Sequence, residues 1–117
     1  MKIIAQRYIV IQFQVTGFHH WPSAPEEVAF LRQRHRHVFH YKVFLDVEHN
    51  DRDLEFTLLK EELKQVVEVG YKGEFGTRSC EQLAEDLGNW CFKNDLKPLT
   101  IEVWEDGENA GGISWAN

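Results

Sequence analysis

The chain has 117 residues, of which 43% are hydrophobic, including four tryptophans and eight phenylalanines. This composition predicts one folded domain over residues 1–117 and excludes a disordered protein. The formal net charge of −6 gives no support to nucleic-acid binding, because contacts to phosphates need clustered lysines and arginines. No segment approaches the roughly 20 consecutive apolar residues of a membrane-spanning helix, so we expect no membrane partner.

The first predicted element is an unusually long strand over residues 2–15. Ile9, Ile11 and Phe13 alternate with polar residues in it and therefore share one face. His19 falls on the same face if the strand continues that far. A proline-containing loop follows, and a short helical turn is predicted from Pro25 to about residue 31.

The strand that organises the chain is predicted over residues 34–48, from its β-branched and aromatic content and its alternation. His35 and His37 open one face of it, and apolar residues continue that face. Two neutral imidazoles on one strand face can ligate one metal ion if a third ligand arrives from elsewhere. The alternative is that both are surface histidines at the entry of a strand.

Two amphipathic helices are predicted next. The first runs from about Phe56 to Val67, with apolar residues at helical spacing. The second begins with Ser79 and Gln82, which form a capping-box pattern. The glycine-rich residues 69–76 between them are expected to form a loop or a short hairpin.

Two C-terminal strands complete the order strand, strand, helix, helix, strand, strand. Alternation predicts the third strand over residues 99–105, and residues 111–115 form a candidate fourth. Cys80 and Cys91 lie on the apolar stripe of the second helix and lack the spacing of a zinc site. We therefore expect reduced core thiols and a cytoplasmic protein.

Four motifs occur in an order that resembles the 6-pyruvoyl-tetrahydropterin synthase and 6-carboxytetrahydropterin synthase family. They are His-x-His at 35–37, Leu-Glu-Phe-x-x-Leu-Lys at 54–60, Ser-Cys-Glu-Gln-Leu-Ala at 79–84 and Ile-Glu-Val-Trp-Glu at 101–105. The match covers about three quarters of the chain. The resemblance implies the α+β tunnelling fold, or T-fold, with a four-stranded antiparallel sheet and two helices on one face. Subunits of that fold join their sheets into an oligomeric barrel, here a trimer to hexamer, with ligand sites at subunit interfaces.

The resemblance also implies site residues. His35 and His37 would be two Zn²⁺ ligands, and His19 would be the third, with His20 as an alternate. Glu105 would anchor the guanidine-like edge of a purine or pterin, a small molecule that Ser79 and Glu81 would also contact. The strand pattern agrees for Glu105, because a carboxylate that shares a face with apolar residues needs a partner.

The chain departs from the family pattern at the residues that carry the chemistry. Leu31 stands where family enzymes place a reactive cysteine, and residues 67–78 lack the Asp-His pair of the family. Arg36 replaces a glycine between the paired histidines. Cys80 is conceivable as a substitute nucleophile, but its helical position favours core packing. Proton relay at a substrate therefore has no candidates with suitable reach.

Three functions follow from these patterns. The first is a non-catalytic homo-oligomer that binds a purine- or pterin-type molecule, for sequestration or sensing. The second is a zinc-dependent lyase of the synthase type, in which metal-bound water does the work. The third is a structural interaction module. An anchor carboxylate at Glu105 favours the first two over the third.

Overall fold

The computed structural model describes residues 1–116 as an α+β fold built on one curled sheet. The strands are β1 (Tyr8–His19), β2 (His35–Asp46), β3 (Glu74–Gly76), β4 (Pro98–Glu105) and β5 (Asn109–Ser114). The helices are α1 (Phe56–Tyr71) and α2 (Cys80–Lys93), with a 3₁₀ helix over Glu26–Arg32 between β1 and β2. No helix in this part of the chain is long and apolar enough to cross a membrane.

The strand order is β3-β1-β2-β4-β5. β2 pairs antiparallel with β1 and with β4, and β4 pairs antiparallel with β5, whereas β3 runs parallel to β1. The sheet is therefore a five-stranded mixed sheet that forms an open half-barrel. The α+β class is confirmed, but the expected four-stranded antiparallel sheet is wrong, because β3 adds a parallel edge strand.

The predicted bounds of the first strand are also wrong. β1 begins at Tyr8 because β2, its partner, ends at Asp46, and the pair Tyr8–Asp46 is the last of the register. Ile3 and Ile4 lie outside the sheet and are exposed. At its other end β1 continues past Val15 to His19, since β2 supplies a partner for every residue up to that point.

Helix α1 is longer than predicted because Gly70 does not interrupt it. The helix ends at Tyr71, where Lys72 adopts a left-handed conformation with φ of 52° and donates its N–H to the carbonyl of Glu68. Helix α2 begins as predicted: the Ser79 side chain and Gln82 form the complete capping box. The 3₁₀ helix lies where the turn after Pro25 is expected.

The core lies between one face of the sheet and the two α-helices. Phe39, Tyr41, Val43 and Leu45 alternate along β2 and are buried, as the sequence predicts. Helix α1 packs on β1, and α2 packs on β4 and β5. Cys80 and Cys91 are both free and buried, as expected for core thiols. Towards the start of β2 and the end of β1, the same face of the sheet carries histidines instead.

Candidate metal centre and adjoining cleft

Three histidines meet where the end of β1 pairs with the start of β2. The register places His19 directly opposite His35, and His37 follows on the same face. The ring centroids are 4.5 Å apart for His19 and His35, 5.2 Å for His19 and His37, and 4.9 Å for His35 and His37. One ring nitrogen of each lies within 4.8 Å of the others, close enough for all three to hold one metal ion.

The Nδ1 atom of each imidazole is held by an oxygen acceptor. His19 Nδ1 lies 3.1 Å from the Arg78 carbonyl oxygen, and His35 Nδ1 lies 2.8 Å from that of Gln33. His37 Nδ1 lies 2.6 Å from a carboxylate oxygen of Asp106. A carbonyl or carboxylate acceptor requires the proton on Nδ1, which leaves the Nε2 lone pair of each neutral ring for a metal.

Asp106 contacts the histidine cluster, and the motif pattern did not identify it. Its second carboxylate oxygen accepts the N–H of Val38 at 2.8 Å, and its own N–H donates to the carbonyl of Val38 at 2.8 Å. Its φ of 54° lies in the left-handed region, and Gly107 follows with φ of 72°. The Val38 N–H, followed by His37, holds the pKa of the Asp106 carboxyl below its ordinary value. The Asp-Gly pair, typical of a tight hairpin turn, was the available signal.

Glu105 turns its carboxylate towards the histidines. Its Oε2 lies 3.1 Å from His19 Nε2, and its Oε1 lies 3.7 Å from His37 Nε2. The hydrogen bond from His19 lowers the pKa of Glu105. Burial of the His19 ring opposes protonation, but the hydrogen bonds to Glu105 and Arg78 outweigh it and raise the pKa of His19. Without metal, the structure therefore favours a charged His19–Glu105 pair.

The donor set fits a divalent zinc ion. His37 Nε2 is buried and has no hydrogen-bond partner within residues 1–116. An unpaired buried nitrogen is costly, and a metal ion at this point would give its lone pair a partner. Three imidazole nitrogens with a nearby carboxylate are ligands that Zn²⁺ prefers in proteins.

A cleft of ≈ 690 Å³ adjoins the cluster, within the usual size range of small-molecule sites. The three residues expected to contact a ligand, Ser79, Glu81 and Glu105, all lie in its wall. The full set comes from the end of β1 and the residues after it, the 3₁₀ segment, the start of β2, the residues before α2 and its first turn, the end of β4, and β5: His19, His20, Trp21, Leu31, His35, Thr77, Arg78, Ser79, Cys80, Glu81, Gln82, Glu105, Asn109, Ala110 and Gly111.

The start of α2 forms one wall of this cleft. The Ser79 hydroxyl accepts the N–H of Gln82 at 3.2 Å, which leaves its own hydrogen available for donation to a ligand. The Glu81 carboxylate lies directly over Gly111 of β5, where a Cβ atom would overlap it. Glycine at 111 is therefore needed for Glu81 to occupy its position in the wall.

His20 has a different role from His19. Its N–H donates to the carbonyl of Gly76 at 2.9 Å, and it belongs to the cleft wall. It lies outside the cluster of three ring nitrogens. Of the two histidines left open by the sequence, His19 is therefore the one that the structure places in the cluster with His35 and His37.

Cys80 lies in the cleft wall but does not have the properties of a nucleophile. It is 8% exposed, and burial, followed by the Glu105 charge, raises its pKa to about 12. The thiolate is the reactive form of cysteine, so the thiol at this position acts as a packing group. Leu31 also lies in the wall, where it adds apolar surface.

No protein-family model and no curated protein matches the chain. Among solved structures it is similar to the crystal structure of an uncharacterized protein from Wolinella succinogenes, with a TM-score of 0.64 and 12% sequence identity. The similarity covers 92% of this chain and 97% of that one. At this identity the likeness establishes a shared fold alone.

Proposed function

We propose that the protein is a divergent T-fold protein that holds Zn²⁺ through His19, His35 and His37 and binds a purine- or pterin-type small molecule in the adjoining cleft. The observation that carries the proposal is the hydrogen bonding of the rings, in which every Nδ1 atom has its own oxygen acceptor. Such outer contacts fix the tautomer and orientation of metal-binding histidines. Surface histidines that lie together by chance would not need an oxygen acceptor at every Nδ1 atom.

The residues in the walls of the cleft are suited to bind a planar ligand that presents N–H groups. Glu81 and Glu105 supply carboxylate acceptors, and the half-exposed Trp21 supplies an aromatic surface. Carboxylates form strong, charge-assisted hydrogen bonds with paired N–H donors such as the amidine edge of guanine or pterin. The family resemblance points to the same class of ligand.

We propose binding without turnover, because the cleft lacks a nucleophile and proton-relay pair of the family kind. Leu31 cannot transfer a proton, and Cys80 is held as a thiol. A bound zinc would supply a Lewis acid beside the ligand. The second candidate, a zinc-dependent lyase, is favoured by one observation: His20 lies in the cleft wall outside the metal cluster, and histidine is the side chain that most often serves as a general acid or base.

A homo-oligomer, from trimer to hexamer, is part of the proposal. The cleft is open to solvent, and β5 is a sheet edge paired only with β4 among the described strands. Edges of this kind are sites for sheet continuation between chains. Native mass spectrometry should report a species of three to six subunits with one zinc per chain and any retained small molecule. A stable 13.8 kDa monomer at micromolar concentration would contradict the assembly.

Calorimetry of the zinc-loaded protein against pterins, guanine nucleotides and cyclic nucleotides tests the ligand class. Glu81→Gln should weaken binding by roughly tenfold to a hundredfold, because a charge-assisted hydrogen bond contributes about 1.5–3 kcal/mol. Glu85→Gln, on the exposed surface of the same helix, is the matched control and should bind like wild type. If no compound binds wild type, the ligand class is wrong. Conversion of a compound during titration would favour the lyase.

A further inference from the structure

We infer that Glu105 is the fourth ligand of the metal when the cleft is empty, so that the resting site is closed. A small molecule would then reach the metal only by displacing this carboxylate. The inference rests on the proposed metal site, and it gives Glu105 a different role from the anchor that the sequence suggests.

The distances carry the inference. Ligand atoms bound tetrahedrally to zinc at about 2.0–2.2 Å lie roughly 3.3–3.6 Å from one another. The carboxylate oxygens of Glu105 lie 3.1 Å and 3.7 Å from Nε2 of His19 and His37. One separation is slightly shorter and the other slightly longer than this spacing, so a small shift of the carboxylate would bring it to an ion held by the three histidines. Both histidine atoms are the nitrogens that their Nδ1 contacts leave free.

The backbone holds Glu105 at this point. Its register partner on β2 is Phe39, two residues after His37, and on the other side it pairs with Asn109 of β5. Its carbonyl oxygen also accepts the N–H of Glu108 at 2.9 Å. The carboxylate is therefore presented by a strand with neighbours on both sides, the kind of rigid support that metal ligands require.

A closed shell changes how the cleft works. With three imidazoles and one carboxylate around the ion, no position remains for water, as in structural zinc sites. A ligand that offers N–H groups to Glu105 would draw the carboxylate away and open a position on the metal. Metal coordination and ligand binding would then be thermodynamically coupled through one side chain.

Cobalt substitution provides the test, because Co²⁺ at a zinc site has a visible spectrum that reports its coordination. Wild type, Glu105→Ala and Glu102→Gln are loaded with Co²⁺ and titrated with azide as an external ligand. Glu102 is the control because it lies on the same strand and faces the other side of the sheet, where it accepts a hydrogen bond from Trp104 Nε1 at 3.0 Å. The melting temperature of each metal-free variant checks that it is folded.

We expect azide to leave the spectra of wild type and Glu102→Gln unchanged and to alter that of Glu105→Ala, whose metal affinity should fall by about tenfold or more. Equal response of wild type and Glu105→Ala to azide would overturn the inference, even if the affinity falls, because Glu105 would then act only through hydrogen bonds. Failure of wild type to bind Co²⁺ would instead refute the proposed metal site, and the inference with it.

Discussion

The two ends of the buried face of β2 have the same alternation and different roles. From Phe39 to Leu45, the inward side chains are apolar and almost fully buried beneath α1 and α2. At the start of the strand, the inward side chains are His35 and His37, and His35 borders an open cleft. Strand geometry is the same at both ends, so the difference lies in what covers the face.

This comparison shows how one strand can serve both the core and a site. Alternation fixes which side chains point inward, but the covering elements decide whether those side chains meet a helix or a cavity. The start of α2 and the 3₁₀ segment border the histidine end without filling it. The Nδ1 atom of each histidine there keeps a hydrogen-bond acceptor.

The covered end should depend on apolar packing for its stability. Leu63 of α1 is 0% exposed, whereas Leu58 of the same helix is 73% exposed. Leu63→Ala should lower the free energy of unfolding by about 2–5 kcal/mol, because it leaves a cavity in the core. Leu58→Ala is the matched control and should change it by less than about 0.5 kcal/mol. Urea denaturation measures both, and equal effects would show that α1 does not cover the sheet as described.

The boundary between the two ends depends on a glycine. Gly17 lies opposite His37, and a Cβ atom there would overlap the ring of Phe75. Gly17→Ala should therefore destabilise the protein by about 1–3 kcal/mol through overpacking. Gly70→Ala, where a Cβ atom meets nothing within 4 Å, should stabilise α1 by about 0.5–1 kcal/mol. Thermal unfolding of the two variants should give shifts of opposite sign; a shared sign would contradict this packing.

The sequence predicted the parts of the structure that depend on local pattern. The inward side of β2, the capping box of α2 and the common face of His35 and His37 all follow from periodicity or short motifs. These features need no knowledge of distant partners, because alternation along a strand and the first turn of a helix are set within a few residues.

The parts that sequence reasoning missed depend on distant contacts. β3 has three residues, too few to show alternation, and it exists because Phe18 and His19 of β1 offer it a parallel partner. The role of Asp106 depends on the β4–β5 turn lying beside Val38. The direction of the Glu105 carboxylate depends on the β2–β4 register. None of these is visible in local sequence.

At the histidine end of the sheet face, the His19–Glu105 pair should make a smaller and pH-dependent contribution to the free energy of unfolding. In the metal-free protein, the raised pKa of His19 adds stability that is complete below pH 6.5, its ordinary pKa, and is lost as pH rises through the folded-state pKa. The lowered pKa of Glu105 adds stability above pH 4.5 that is lost as pH falls through its folded-state pKa. The pair should therefore stabilise most between about pH 4.5 and 6.5.

Thermal unfolding of metal-free wild type and Glu105→Gln across this range measures that contribution. The difference between the two melting temperatures should be largest inside the window and should shrink as pH rises above it. A difference that stays constant with pH would show that the His19–Glu105 pair does not titrate as a unit. With zinc bound, acid should instead release the metal, because ligating histidines must be neutral.

The metal content of the purified protein tests the central claim most directly. Elemental analysis after equilibration with zinc and removal of the excess should give close to one zinc per chain for wild type and far less for His35→Ala combined with His37→Ala. The matched control is His40→Ala with His49→Ala, which removes two histidines outside the cluster and should keep the wild-type content. Absence of zinc from wild type, or equal zinc in all three proteins, would contradict the metal centre.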